Sequence, residues 1–231
     1  CRSLKANILT ASLSFTNEDI IAPNSKFPIL INYRNLPKVY TMVGSIDPKE
    51  LEKLVANTYG EKFYNQLKKL VKPVKSVSFD LKGTDDYNAH TTEALLDQLP
   101  VGTYVVFLAN NEKFEFDKKV TCYSVIQVTN ISYVQRIVSD GSGENYVLDR
   151  NTGKPIKDVI VKAWYQEYDY KLNKYVKKLH GTYTTDAEGY FRVSTDINHN
   201  SRSITYEFFN GAEYYNSDKN IYLYYSNYTP S

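Results

Sequence analysis

The sequence predicts an all-β chain built as two tandem β-sandwiches, the first carrying an α-helical insertion. Three observations lead there. Twenty-two Tyr stand against a single Met and a single Trp in 231 residues, and Tyr, Val, Ile and Thr suit a pleated, half-exposed strand surface better than a helix. Turn signals separate the apolar runs of the C-terminal part at roughly the 8 to 12 residue spacing of a sandwich. Helical periodicity appears in one segment, residues 47–71.

The N-terminal stretch "SLKANILTASLSF" alternates Leu4, Ala6, Ile8, Leu13 and Phe15 with polar residues, which predicts a strand. The turn-rich "TNEDIIAPNS" joins it to a second strand in "KFPILINYRN", and a third, "KVYTMVGSI", runs to Ile46. The helical segment then opens with Asp47 as N-cap, Pro48 at the first helical position and Glu50 closing a capping box. Leu51, Leu54, Val55, Tyr59, Phe63, Leu67 and Leu70 recur at three- and four-residue steps. Lys68, Lys69 and Lys72 suit the negative pole of the helix, Pro73 stops it, and Gly60 weakens its middle enough to divide it in two. "VKSVSFDLKG" predicts a strand, "TDDYNAHTTEALLDQ" a polar loop, and Pro100 to Gly102 a turn feeding a strand from Tyr104 to Ala109.

"VTCYSVIQVTNISYVQRI" is too long for one strand, so one sheet ends and another begins within it. The expected domains are therefore residues 1–126, with the insertion at about 47–72, and residues 127–231. Six strand segments follow, in "NYVLDR", "KDVIVKAWYQEYDY", "KYVKKLHGTYTT", "GYFRVST", "RSITYEFFNG" and "NIYLYYSN". The turn "NTGKP" supplies Gly153 and Pro155, and "DAEG" places Asp186 and Gly189 where a short hairpin loop needs them. The expected core comprises Ile29, Ile31, Val105, Phe107, Val159, Val161, Phe191 and Val193, with Trp164 packed between sheets.

Chemistry is harder to find than structure. The net charge of +2 comes from 28 basic and 26 acidic residues mixed along the chain, so no broad field exists to hold nucleic acid or an anionic membrane. No apolar run approaches the roughly 20 residues of a membrane span. Cys122 lies in an apolar strand pattern, where a buried, inert thiol is the simpler reading. Cys1 is compatible with the acylated first residue of a mature lipoprotein or with a cut inside a longer chain, and both stay open. His90, His180 and His199 are scattered, no serine sits in a nucleophile elbow, and no Walker, Rossmann or zinc spacing occurs. Asp140, Glu144 and Asp149 in "SDGSGENYVLDR" resemble half of a calcium loop, but the closing bidentate Glu is missing and a glycine-rich hairpin connection accounts for them. No catalytic, cofactor-binding or metal-binding residue is expected. The Tyr-rich faces "YQEYDY", "EYYNSDKNIYLYYSNY" and "TYEFFNG" could stack sugars or proteins. Tyr occurs on nearly every strand, however, which favours cross-strand pairs that stabilise the sheet itself.

The order "APNSKFPILINYRNLPKVYTMV", "LPVGTYVVFLANN", "YVLDRNTGKPIKDVIVKAW", "GTYTTDAEGYFRV" resembles the early macroglobulin domains of bacterial alpha-2-macroglobulin-like proteins, particularly those of Bacteroides type. The "D-R-x-T-G-x-P-I" and "T-D-x-x-G-x-F" signals also occur in carboxypeptidase-regulatory-like and transthyretin-like sandwiches. The resemblance implies immunoglobulin- or fibronectin-like seven-stranded domains in a secreted protein that traps proteases after a bait segment is cut, often with a thioester. Cys1 precedes "RSL" and Cys122 precedes "YSV" rather than Gly-Glu-Gln, so no thioester or crosslinking residue carries over.

The expected function is accordingly a non-catalytic structural and interaction module, framework for protease trapping, located in the periplasm or at the outer cell surface with lipid anchoring of the parent left open. Its expected partners are neighbouring macroglobulin domains of the parent chain and target proteases. The alternative is a cell-surface module that binds carbohydrate or protein on a Tyr platform.

Overall fold

A computed structural model describes residues 8–82, 85–194 and 201–224. The chain divides into two compact units, Cys1–Val128 and Thr129–Ser231. Both are all-β in their framework, and each is a pair of sheets facing across an apolar core.

The first unit runs β1 (Ser12–Thr16), β2 (Ile20–Ile21), β3 (Phe27–Arg34), β4 (Lys38–Ser45), α1 (Pro48–Asn57), α2 (Gly60–Leu70), β5 (Lys72–Asp80), β6 (His90–Leu96), β7 (Gly102–Ala109) and β8 (Thr121–Val128). One sheet has the order β1-β3-β6 and the other β2-β8-β7-β4-β5, with every pairing antiparallel except the short β2–β8 contact. Period-two burial on β3 sends Phe27, Ile29, Ile31 and Tyr33 inward, where they meet Tyr104, Val106 and Leu108 of β7.

The opposite face of β7 is buried as well. Val105, Phe107 and Ala109 pack under the two helices with Leu54, Phe63, Tyr64 and Leu67, so the insertion forms a third layer on its own sheet. That double cover explains why β7 reads "YVVFLA" without alternation. Asp47 caps α1 by accepting from the Lys49 amide at 2.7 Å. Glu50 turns to Lys53 at 2.8 Å instead of closing a capping box. The helix breaks where Thr58 and Tyr59 adopt extended backbone. β5 forms an exposed edge, and Lys72, Pro73 and Lys75 along it are residues that discourage edge-to-edge pairing.

Two N-terminal expectations change. Leu4 and Ala6 lie outside the described residues, and Ile8 and Leu9 are helical and exposed, so the first strand begins only at Ser12. The segment expected as a polar loop contains β6, whose Ala94 and Leu96 close the core. Its alternation is hidden because the residues at its other inward positions, His90 and Thr92, are polar.

The second unit runs β9 (Ile131–Ile137), β10 (Gly143–Asp149), β11 (Ile160–Asp169), β12 (Lys174–Thr184), β13 (Tyr190–Val193), β14 (Ser201–Asn210) and β15 (Glu213–Tyr224). A three-stranded sheet, β9-β10-β13, faces a four-stranded one, β12-β11-β14-β15. β8 and β9, read from one continuous β-forming run, belong to different sheets. The eight core residues named from sequence are all buried, although Val105 and Phe107 point to the helix layer.

The turns are held by their acids. Asp149 Oδ1 accepts from the amides of Asn151 at 3.1 Å and Thr152 at 2.8 Å, and Asp186 Oδ1 accepts from those of Glu188 and Tyr190, each at 2.9 Å. These Asx-type bonds replace backbone partners that a tight loop cannot supply.

Candidate interaction surface

The groups with chemical potential are spent on structure. His90 Nε2 lies 2.9 Å from Asp86 Oδ1, and the bond from the Asn88 amide, reinforced by His90, holds the Asp86 carboxyl down at about 2. On β12, His180 Nε2 sits 3.0 Å from the carbonyl of Ser194, just past β13; His199 lies outside the described residues. Cys122 packs against the first unit's core, and burial pushes its thiol up to about 12, so it carries no thiolate at neutral pH. Cys1 also lies outside the described residues.

Asp140, Glu144 and Asp149 point to separate tasks. Asp140 accepts from the Ser142 amide at 3.0 Å and pairs with Arg192, Glu144 binds Arg136 at 2.6 Å, and Asp149 caps its turn. Among the described residues no group of three His, Cys, Asp or Glu could hold a metal ion.

What the second unit does present is a surface. Along β11, Val161 and Ala163 are buried inward, which turns Lys162 and Trp164 to the outer face of the four-stranded sheet. Trp164 therefore does not pack between the sheets as expected; it is half-buried on the outside. Its Nε1–H donates to Glu207 Oε2 at 2.8 Å. Lys177 donates to Glu207 Oε1 at 2.8 Å and Tyr214 OH to the same oxygen at 3.3 Å. Glu207 is only 8% exposed, so a carboxylate is sunk into the sheet face and satisfied by three donors from three other strands. Ile160, Leu179 and Tyr222 are exposed, and Phe209 stacks obliquely on Tyr214 at 5.3 Å.

No spacing in the chain points to this cluster, because Trp164, Lys177, Glu207 and Tyr214 lie far apart in it. Two groups of tyrosines in the second unit stand out. Tyr133, Tyr206 and Tyr215 form an internal aromatic core with Phe191 and Phe208, which is the sheet-stabilising role. Tyr168, Tyr170 and Tyr175 gather at one hairpin end, Tyr168 lying 5.1 Å from Tyr170 and 5.2 Å from Tyr175.

Because Trp164 is half-exposed, Trp164→Ala should cost about 2 kcal/mol, the ring's partial burial plus one charge-assisted hydrogen bond, rather than the 3–5 of a fully buried aromatic. A denaturant titration showing a loss above about 4 kcal/mol would place the ring in the core after all.

No family model and no curated protein matches the chain. Among solved structures it is similar to native alpha-2-macroglobulin from Escherichia coli spanning domains MG0-NIE-MG1, with a TM-score of 0.60 at 11% identity, covering 90% of this chain and 64% of that one. It is also similar to the same protein spanning NIE-MG1, with a TM-score of 0.58 at 13% identity over 89% of this chain and 95% of the other. The chain is thus an all-β protein of immunoglobulin-like sandwiches with the fold of the macroglobulin domains of bacterial alpha-2-macroglobulins. No described helix is long and apolar enough to cross a membrane.

Proposed function

We propose that the chain is a non-catalytic structural and interaction module of a secreted or periplasmic alpha-2-macroglobulin-like protein, of the kind found in Bacteroides-type bacteria. Each unit, divided near residues 126 to 128, is one macroglobulin-like sandwich. The module contributes framework, not chemistry, to protease trapping. The observation that carries this reading is the likeness over 89% of this chain and 95% of a two-domain fragment of such a protein. The outer face around Trp164 and Glu207 supports it: a sheet face that mixes aromatic side chains with a hydrogen-bonded ion pair suits a neighbouring domain of the same parent chain.

A glycan platform needs bare aromatic faces. Here Lys177 lies over the Trp164 ring at 5.0 Å and Lys162 over Phe209 at 5.2 Å, so cations already occupy the places where a sugar ring would stack. The scaffold reading is therefore the better supported of the two.

The test mixes the purified chain with trypsin and a protein-sized substrate, in parallel with the parent protein and with the parent lacking these residues. The chain alone should neither cleave nor inhibit, the parent should inhibit, and the deletion should abolish that inhibition. Cleavage or inhibition by the chain alone, or an unaffected deletion, overturns the reading.

A further inference from the structure

The β11–β12 hairpin outruns its sheet. Its ladder continues to the pair Asp169–Lys174, whereas the β11–β14 ladder ends at Tyr165–Ile204. Among the described residues, the last turn of this ribbon therefore has no third strand hydrogen-bonded to it. Such a ribbon is marginal in water unless its own side chains hold it. Two devices do so. Asp169 Oδ1 accepts from the amides of Lys171 at 2.8 Å and Leu172 at 3.1 Å, and Tyr168 donates its hydroxyl to Asn173 while packing edge-on against Tyr170 and Tyr175.

What this stiffened tip offers to solvent is unusual for a water-facing loop. Tyr170 is 89% exposed, Tyr175 68% and Leu172 59%, and Lys171 and Lys174 are exposed between them. From Gln166 to Lys178 there are four lysines against Glu167 and Asp169. Glu167 is paired with Lys178, and Asp169 is turned onto the amides of Lys171 and Leu172, so Lys171 and Lys174 outnumber the one carboxylate at the apex. The near-neutral charge of the whole chain conceals this local excess.

We propose that this tip docks on an anionic phospholipid surface, Tyr170, Leu172 and Tyr175 entering the headgroup zone while Lys171 and Lys174 contact lipid phosphates. Tyr prefers that zone because its ring is apolar and its hydroxyl stays wet. Lysines extend their apolar stems along the same path and gain electrostatic attraction there. A convex, lysine-bearing tip fits a protein pocket poorly, since Lys is depleted in the core of protein interfaces. One Leu and a few Tyr give only weak affinity, so binding needs the charge as well as the apolar insertion. The inference is independent of the scaffold reading, which survives its failure.

The experiment is co-sedimentation of the chain with vesicles of phosphatidylcholine alone and of phosphatidylcholine mixed with phosphatidylglycerol, at low and high salt. The chain should pellet with the anionic vesicles and be released by salt. K171E/K174E and Y170S/L172S should each lower the partition coefficient by about tenfold with an unchanged far-UV circular dichroism spectrum. Tyr59→Ser, at another exposed tyrosine, should bind like the unaltered chain. Absence of binding, equal binding to neutral vesicles, or an equal loss with Tyr59→Ser overturns the proposal.

Discussion

Gly189→Ala is expected to lower the stability of the second unit by about 3 kcal/mol or more, and Gly153→Ala by only about 1. Both glycines occupy the left-handed region, φ +70° and φ +68°, and both close turns, so the sequence treats them alike. Their surroundings differ. A Cβ at Gly189 would lie 2.3 Å from the Val147 carbonyl oxygen, whereas one at Gly153 would meet nothing within 4 Å. Relieving the Gly189 clash means moving backbone, because Val147 donates its amide to the Gly189 carbonyl at 2.8 Å and accepts from Ile156 at 2.9 Å. The substitution therefore adds lost ladder bonds between β10 and the β12–β13 turn to the conformational strain. For a unit of this size the melting transition should fall by at least about 10 °C, against about 5 °C for Gly153→Ala. Equal shifts in calorimetry would mean that the turn before β13 can relax and that close approach is not what Gly189 provides.

That contrast marks where sequence reading works and where it stops. Turn chemistry was legible because its causes are local: "NTGKP" and "DAEG" name the acids and glycines that the loops use. The core residues of β3, β7, β11 and β13 were legible because β-formers crowd there, but only contact could show that Val105 and Phe107 face helices while Val106 and Leu108 face the other sheet. β6 escaped because its inward alternation is partly polar. The Trp164–Glu207–Lys177 cluster escaped for a different reason: a buried charge is acceptable only with donors in place, and those donors come from β11, β12 and β15, whose adjacency no spacing encodes. The exposed tyrosine tip was visible as "YQEYDY", yet nothing in that string shows that its ladder extends past the β11–β14 pairing while Tyr206 and Tyr215 turn inward.

The two helices of the insertion pack on the five-stranded sheet of their own unit, and Phe107 supplies the test of that placement. Phe107→Ala is expected to cost about 3–5 kcal/mol, because the ring is fully buried in the central strand of the five-stranded sheet. Phe107 meets Tyr64 of α2 edge-on at 5.6 Å and Tyr123 of β8 at 6.3 Å. Tyr64 is anchored in turn by its hydroxyl, which donates to the Phe114 carbonyl at 3.0 Å. Removing the ring thus opens a cavity between helix layer and sheet while leaving Val106 and Leu108 seated in the sandwich core. Hydrogen exchange should separate the two layers: amides of α1 and α2 should lose protection far more than those of β3 and β6. Leu108→Ala, on the opposite face of the same strand, should reverse that order, with β3 and β6 the more affected. If Phe107→Ala left the helical amides protected, the helices would be held by something other than their own sheet, and their place as the domain's third layer would have to be abandoned.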